Sequence, residues 1–212
     1  MSPLETGHFQ KNKGNEMKII KVLLDVGAFF DRLYNVFVLK RKKISYRKDL
    51  KINGRMSVYG DGKIEIGEQV TINSCESSNP IGGANKTILN ARNGGYIKIG
   101  KGCGISNSTI VAFSGVTIGN NTFLGGSCSI YDTDFHSLKA NERDLIDQNG
   151  VNKKPVVIGN DVFIGAHSII LKGVTIGDES IVGAGSIVTK SIPKGEIWGG
   201  NPAKFIRKVN HE

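Results

Sequence analysis

A chain of 212 residues can bury an apolar interior large enough to fold as one domain without disulfide or metal staples. Its 28 glycines and 7% aromatic content argue against an ordinary globular α/β core and fit a structure of tight corners. The formal charge of +9 gains meaning from its placement. Residues 1–55 hold 13 Lys and Arg against 5 Asp and Glu, whereas residues 56–212 hold 15 against 14, so the larger part is nearly neutral and shows no basic, aromatic-studded face of a nucleic-acid binder.

In chain order, residues 1–16 are polar and are expected to form a disordered leader, with Met17 an alternative start and no convincing cleavable signal peptide. Residues 17–50 are expected to contain a basic amphipathic helix. Ile19, Val22, Val26, Phe29, Leu33, Val36 and Phe37 recur at three- and four-residue steps, while Lys21, Asp25, Arg32 and Asn35 fall largely off that stripe. The charges rule out a comfortable transmembrane span. Followed by Lys40, Arg41, Lys42 and Lys43, such a helix suits the surface of an anionic bilayer, or packing on the rest of the protein or a partner subunit.

From residue 56 a beat of six takes over. It is heard at Ile66 to Ile72, Ile99 to Ile105 and Ile118 through Leu124 to Ile130, then without a break at Ile158, Ile164, Ile170, Ile176, Val182 and Val188. Glycine follows the apolar residue at Gly159, Gly165, Gly177 and Gly183, and a small or modest residue lies four places on at Val162, Ser168, Val174, Ser180 and Ser186. Neither helix nor ordinary sheet repeats at six. The pattern predicts a parallel β-helix over 56–192 in which each hexad is one short strand and three make a coil. A step of seven from Val111 to Ile118 suggests an extra corner residue. Cys103 and Cys128 occupy small-residue slots, and three cysteines without metal spacing suit a reducing, cytoplasmic setting.

Between Ile130 and Ile158 the beat fails in a polar excursion, 131–155, that carries Asp132, Asp134, His136, Glu142, Arg143 and Asp144. Coils on either side of such a loop stack without it, so the chemistry is sought there. Residues 193–212 are expected to form a short tail.

The segment from Ile99 to Val209 resembles the hexapeptide-repeat acyltransferases, most closely the galactoside and maltose O-acetyltransferase branch. The motifs that carry the resemblance are VTIGNN at 116–121, DTDFH at 132–136, the run VVIGNDVFIGAHSIILKGVTIGDESIVGAGSIVTKSIP at 156–193 and GGNPAKFIRKV at 199–209. The resemblance implies a left-handed β-helix, a homotrimer and acetyl-CoA as donor, with no metal. His136 matches the catalytic base, and imidazole suits that task because a sugar hydroxyl is not nucleophilic at neutral pH. Asn107 matches an asparagine that completes the site from the neighbouring subunit. Asp134 and Arg143 are expected at the acceptor, with Asp132 and Asp134 placed to orient the imidazole or touch substrate. Ala166, Ala184 and Thr189 match positions along the pantetheine arm, and Lys190, Lys204 and Arg207 match basic positions near the CoA phosphates. His167, in a repeat corner, is expected to be structural or to line the donor site.

The branch carries an acidic pair where this chain has Ala112 and Phe113, and an indole where it has Phe163, which argues against a simple galactoside acceptor. A lipid-linked or nucleotide-linked sugar for a surface polysaccharide is the expected acceptor. The alternatives are N-acetylation of an amino sugar and a non-catalytic scaffold. A γ-class carbonic anhydrase shares the prism but needs three histidines at a metal, and only His136 and His167 lie in the domain. A serine acetyltransferase usually has a longer N-terminal region.

Overall fold

The computed structural model describes residues 26–143 and 151–210, so Ile19, Val22, Asp144, His8 and His211 lie outside the described residues. Nearly all strands run parallel in three sheets that take every third strand, the arrangement of a left-handed β-helix. With β1 (Lys51–Gly54), β2 (Ser57–Gly60) and β3 (Lys63–Ile66) as the first coil, later coils repeat the cycle through β17 (Ile187–Val188).

The strands that position the site are β7 (Gly104–Ser106), β8 (Thr109–Ala112), β9 (Gly115–Ile118), β10 (Phe123–Leu124), β11 (Ser129–Tyr131), β12 (Val156–Ile158), β13 (Phe163–Ile164), β14 (Ile169–Ile170) and β16 (Ile181–Val182). Strand register turns the six-residue beat into columns. Ile72, Ile105, Leu124, Ile164 and Val182 stack in the eight-stranded sheet; Leu89, Ile110, Ile130, Ile170 and Val188 in the six-stranded sheet; Ile66, Ile99, Ile118, Ile158 and Ile176 in the five-stranded sheet. All are buried. Each contributes about 1.5–3 kcal/mol by leaving water, before the entropy of ordering it is counted. The slots four places on, Val162, Ser168, Val174, Ser180 and Ser186, are buried too. Coils approach so closely that a Cβ on Gly119 would lie 2.5 Å from the backbone of Gly159.

One register differs from the sequence reading. Ile110, not Val111, stacks with Ile130, while Val111 pairs with Tyr131, so the extra corner length lies between β8 and β9. The sheets also reach beyond 56–192. β1 opens the eight-stranded sheet, and β18 (Glu196–Gly199) with β19 (Lys204–Lys208) closes it, β19 running antiparallel.

Residues 26–41 form helix α1. It ends where Lys43 takes φ +50°, with Lys43 N–H bonded to Lys40 O and Ile44 N–H to Leu39 O. These are the paired bonds of a Schellman ending, whose usual hydrophobic contact is supplied by buried Ile44 and Leu39. Ser45 then pairs with Glu65 beside β3, so the chain from α1 covers the open edge of the first coil.

The cysteines are free thiols in different settings. Burial pushes Cys128 up to about 11 and Cys103 above its ordinary value. Burial also raises Cys75, but hydrogen bonds with Ser77 and Ser78 outweigh it and leave that thiol below the ordinary value. Because the thiolate is the reactive form, a disulfide reagent at mildly alkaline pH is expected to titrate Cys75 alone in the folded protein and all three after denaturation. Fast labelling of a folded Cys75→Ser variant would contradict this.

Candidate active site

The excursion stands on a stem. Thr133 bridges antiparallel to Lys153, Asp134 N–H donates to Asn152 O at 3.0 Å, and Lys154 N–H donates to Asp132 O at 2.9 Å. At its start the chain folds into a tight γ-turn: Phe135 has φ +64° and His136 N–H donates to Asp134 O at 2.8 Å. A bulky residue in that region costs of order 1–3 kcal/mol, so the surroundings must hold it there. They do so through Phe135 N–H to Thr133 Oγ1 and edge-to-face contacts of the Phe135 ring with Tyr131 at 5.3 Å and Phe113 at 6.1 Å. The result presents an exposed His136 at the tip of a rigid turn.

Asp134 lies beneath it. Its Oδ1 accepts from Lys172 Nζ at 2.5 Å, and its Oδ2 is buried without a partner. Lys172 was not singled out in the sequence. Its signal is the register: Ile130 pairs with Ile170, which sets residue 172 one coil beyond residue 132 at the same corner.

Asp132 does something other than expected. Fully buried, it accepts Phe113 N–H on Oδ1 at 2.8 Å and the N–H groups of Ser114 and Gly115 on Oδ2, each at 2.6 Å. With both oxygens so occupied, it shapes the lengthened corner under Phe113. Arg143, exposed, bonds within its own segment, Nε donating to Ser137 O and Nη2 to Leu138 O. Lys139 and Ser137 donate to Glu142 and hold its carboxyl below the usual range. Arg143 and Glu142 thus tie the segment after His136 to itself.

Asn107 sits at a different corner, between β7 and β8. Left-handed at φ +47°, a conformation asparagine tolerates, it is buried and donates from Nδ2 to Asn85 O at 2.6 Å, while its Oδ1 has no partner. Directly above it in successive coils come Ser127, His167 and Gly185, all left-handed; His167 N–H donates to Gly126 O and Gly185 N–H to Ala166 O, each at 2.8 Å. Ala166 and Ala184 belong to this corner, and exposed His167 fills one of its turns. Thr189 and Lys190, both exposed, follow β17 and so lie on the His136 side of the six-stranded sheet. Lys204 and Arg207 lie exposed on β19 at the edge of the eight-stranded sheet.

The candidate residues therefore fall into two groups on opposite edges of the six-stranded sheet. His136, Asp134, Lys172, Thr189 and Lys190 gather at the edge where its strands end, and Asn107, Ala166 and Ala184 at the edge where they begin. Among the described side chains, the buried polar atoms without a partner are Asn107 Oδ1 and Asp134 Oδ2, one in each group. A buried oxygen left unpaired costs about 1–3 kcal/mol unless a group from outside the chain meets it.

Repeat and fold together define a left-handed β-helix built from hexapeptide repeats. Residues 155–190 match the family described as hexapeptide repeat of succinyl-transferase. "Gamma carbonic anhydrase 2, mitochondrial" of Arabidopsis thaliana is 34% identical over 120 residues, 55% of this chain and 37% of that protein. "Putative lipopolysaccharide biosynthesis O-acetyl transferase WbbJ" of Escherichia coli (strain K12) is 30% identical over 108 residues, 49% of this chain and 55% of that one. The chain thus spans about half or less of the curated relatives it matches. Among solved structures, AntD, an N-acyltransferase from Bacillus cereus in complex with dTDP and 3-hydroxybutyryl-CoA, shares the fold with a TM-score of 0.61 at 23% identity, over 84% of this chain and 89% of that chain. Among the described residues no three His, Cys, Asp or Glu side chains come together as a ligand set.

Proposed function

We propose that this protein is an acetyl-CoA-dependent O-acetyltransferase that works as a closed homotrimer on a sugar hydroxyl of a polysaccharide precursor. The observation that carries the reading is the division of the site into two half-sites, each holding one unpartnered buried oxygen. A single prism keeps them apart. Cyclic three-fold packing sets the His136 corner of one subunit against the Asn107 corner of the next and repeats that contact at every interface.

In the groove so formed, the small corners at Ala166 and Ala184 leave room for the pantetheine arm, and Lys190, Lys204 and Arg207 meet the phosphates. Bulky corners would block it. His136 takes the proton of the acceptor hydroxyl as its oxygen attacks the thioester carbonyl carbon. The C–S bond then breaks, and the imidazolium returns the proton to the departing sulfur, which leaves acetylated sugar, CoA thiol and neutral His136. Asp134, fixed by Lys172, directs its remaining oxygen at the acceptor, and Asn107 Oδ1 completes the site from the neighbour. The relationship to WbbJ supports a polysaccharide precursor as acceptor.

Thiol release from acetyl-CoA across sugars, sugar nucleotides and amino sugars tests the reaction. Release with hydroxyl acceptors is expected; release with amino sugars alone would move the acetyl group to nitrogen, and none at all would leave a scaffold. Subunit complementation tests the shared site. His136→Ala and Asn107→Ala homotrimers are each expected to be nearly inactive, while trimers reassembled from an equal mixture should regain about a quarter of wild-type sites, since each interface then has about a one-in-four chance of pairing two intact halves. A mixture no more active than its components would place both residues in one subunit's site.

A further inference from the structure

Helix α1 docks on the prism by the face opposite to its apolar stripe. Asp31, Asn35 and Leu39 recur every four residues. Asp31 pairs with Arg55 at 2.5 Å, and the Asn35 amide donates to Gly54 O at 2.8 Å and accepts Met56 N–H at 3.2 Å. Leu39 is buried in the core, and one turn further Lys42 Nζ donates to Gly60 O at 2.8 Å. These contacts fix the rotation of the helix, so Val26, Phe30, Leu33 and Phe37, about half a turn round, are held outward at 48%, 55%, 51% and 60% exposure. Phe29, Tyr34 and Val36 widen the stripe. Seven of the eighteen exposed large hydrophobic side chains of the described residues stand on this one helix.

On the same outward face, just past Phe37, follow Lys40 and Arg41, with Lys43 at the helix end. Residues 26–55 hold nine Lys and Arg against two Asp, and Asp31 is engaged by Arg55. We propose that this face is a docking surface for an anionic lipid bilayer, with Phe29, Phe30, Leu33 and Phe37 entering the boundary of the acyl chains and Lys40, Arg41 and Lys43 meeting the headgroup phosphates. Charge decides for lipid over a second copy of the same face, which would bring two strongly basic patches together. The helix lies in the bilayer surface and does not cross it: among the described residues no helix is long and apolar enough to span. Resting on the trimer of the proposed function, a further consequence is that three-fold symmetry puts all three stripes at one end of the assembly. One flat surface then engages them together, with the gain in effective concentration that linked sites bring.

The test is co-sedimentation of the whole protein with vesicles of phosphatidylglycerol and phosphatidylcholine in equal parts, over a salt series. Expected are binding to these vesicles, little to phosphatidylcholine alone, and release as salt screens the surface charge. Leu33→Glu with Phe37→Glu should abolish binding, and Lys40→Glu with Arg41→Glu should weaken it about tenfold or more, two headgroup contacts being turned to repulsion. Failure of the intact protein to sediment with anionic vesicles at low salt overturns the proposal, as does undiminished binding by the Leu33→Glu, Phe37→Glu variant. Dissociation of that variant to monomers in light scattering, with no vesicle binding by the parent, assigns the face to a second copy instead. Thiol release on a soluble acceptor by the same preparations reads the proposed reaction separately, so either idea can fail alone.

Discussion

Replacement of His136 by alanine is expected to lower turnover by about two to four orders of magnitude, the range for losing a positioned general base, with little change in thermal stability. The separation of the two effects follows from its setting. The imidazole is exposed and makes none of the contacts that hold its turn; those come from the His136 backbone N–H, Thr133, Tyr131 and Phe113. Removing the ring therefore takes away the proposed proton acceptor and leaves the scaffold. Steady-state kinetics should show the loss in kcat with the KM for acetyl-CoA nearly unchanged, since the role proposed for His136 is at the acceptor hydroxyl and not at the donor's phosphates. Turnover of the variant within a few-fold of wild type would remove His136 from the reaction.

A change of Asp132 to alanine is expected to act in the opposite order, on stability first. Its carboxylate is fully buried and collects three backbone N–H bonds of 2.6–2.8 Å from Phe113, Ser114 and Gly115. Phe113 and Gly115 N–H then lose their acceptor in a buried setting, and the loss is about 2–6 kcal/mol at roughly 1–3 kcal/mol for each stranded group. The Asp132→Asn substitution keeps the shape but exchanges one accepting oxygen for an NH2 that faces another donor, so it should recover only part of the loss. The lengthened corner also carries Phe113, on which Phe135 leans, so activity should fall even where the variant is still folded. Chemical unfolding checks the first claim, and an unchanged midpoint for Asp132→Ala would refute it.

The repeat and the excursion differ in how much of them the sequence reveals. The beat at Ile158 to Val188 was legible because each hexad is both a sequence unit and a structural one: the apolar residue, the glycine and the small slot each answer to a contact with the adjacent coil. His136 stands out because the excursion that carries it interrupts that beat. Asp132, two residues away from Asp134, was read with it, yet one carboxylate folds a corner 17–19 residues earlier in the chain and the other meets Lys172, 38 residues on. Nothing local separates them; only stacking of the coils decides which direction each acid faces. Helix α1 gives the converse case. Its apolar residues from Val26 to Phe37 lie outward, but a polar residue, Asn35, sets the docking, because two backbone groups at Gly54 and Met56 need partners there. The shift from Val111 to Ile110 arose in the same way, since adjacent β-branched residues satisfy the pattern equally and register alone selects one.

The reversed final strand has a meaning beyond local geometry. A parallel solenoid is an open ladder whose last rung is a template for another chain, and nothing in its repeat says how many rungs to build. Here β19 turns back on β18, so the rung presented at that edge runs against the polarity of the other strands in its sheet. It is also studded with Lys204, Arg207 and Lys208, charges of the kind that discourage strand addition at a sheet edge. At the opposite end Leu39 and Ile44 are buried in the core and Ser45 pairs with β3, so the chain leaving α1 covers that strand of the first coil. The reversed, charged last strand thereby discourages end-to-end growth at the C-terminal end of the eight-stranded sheet.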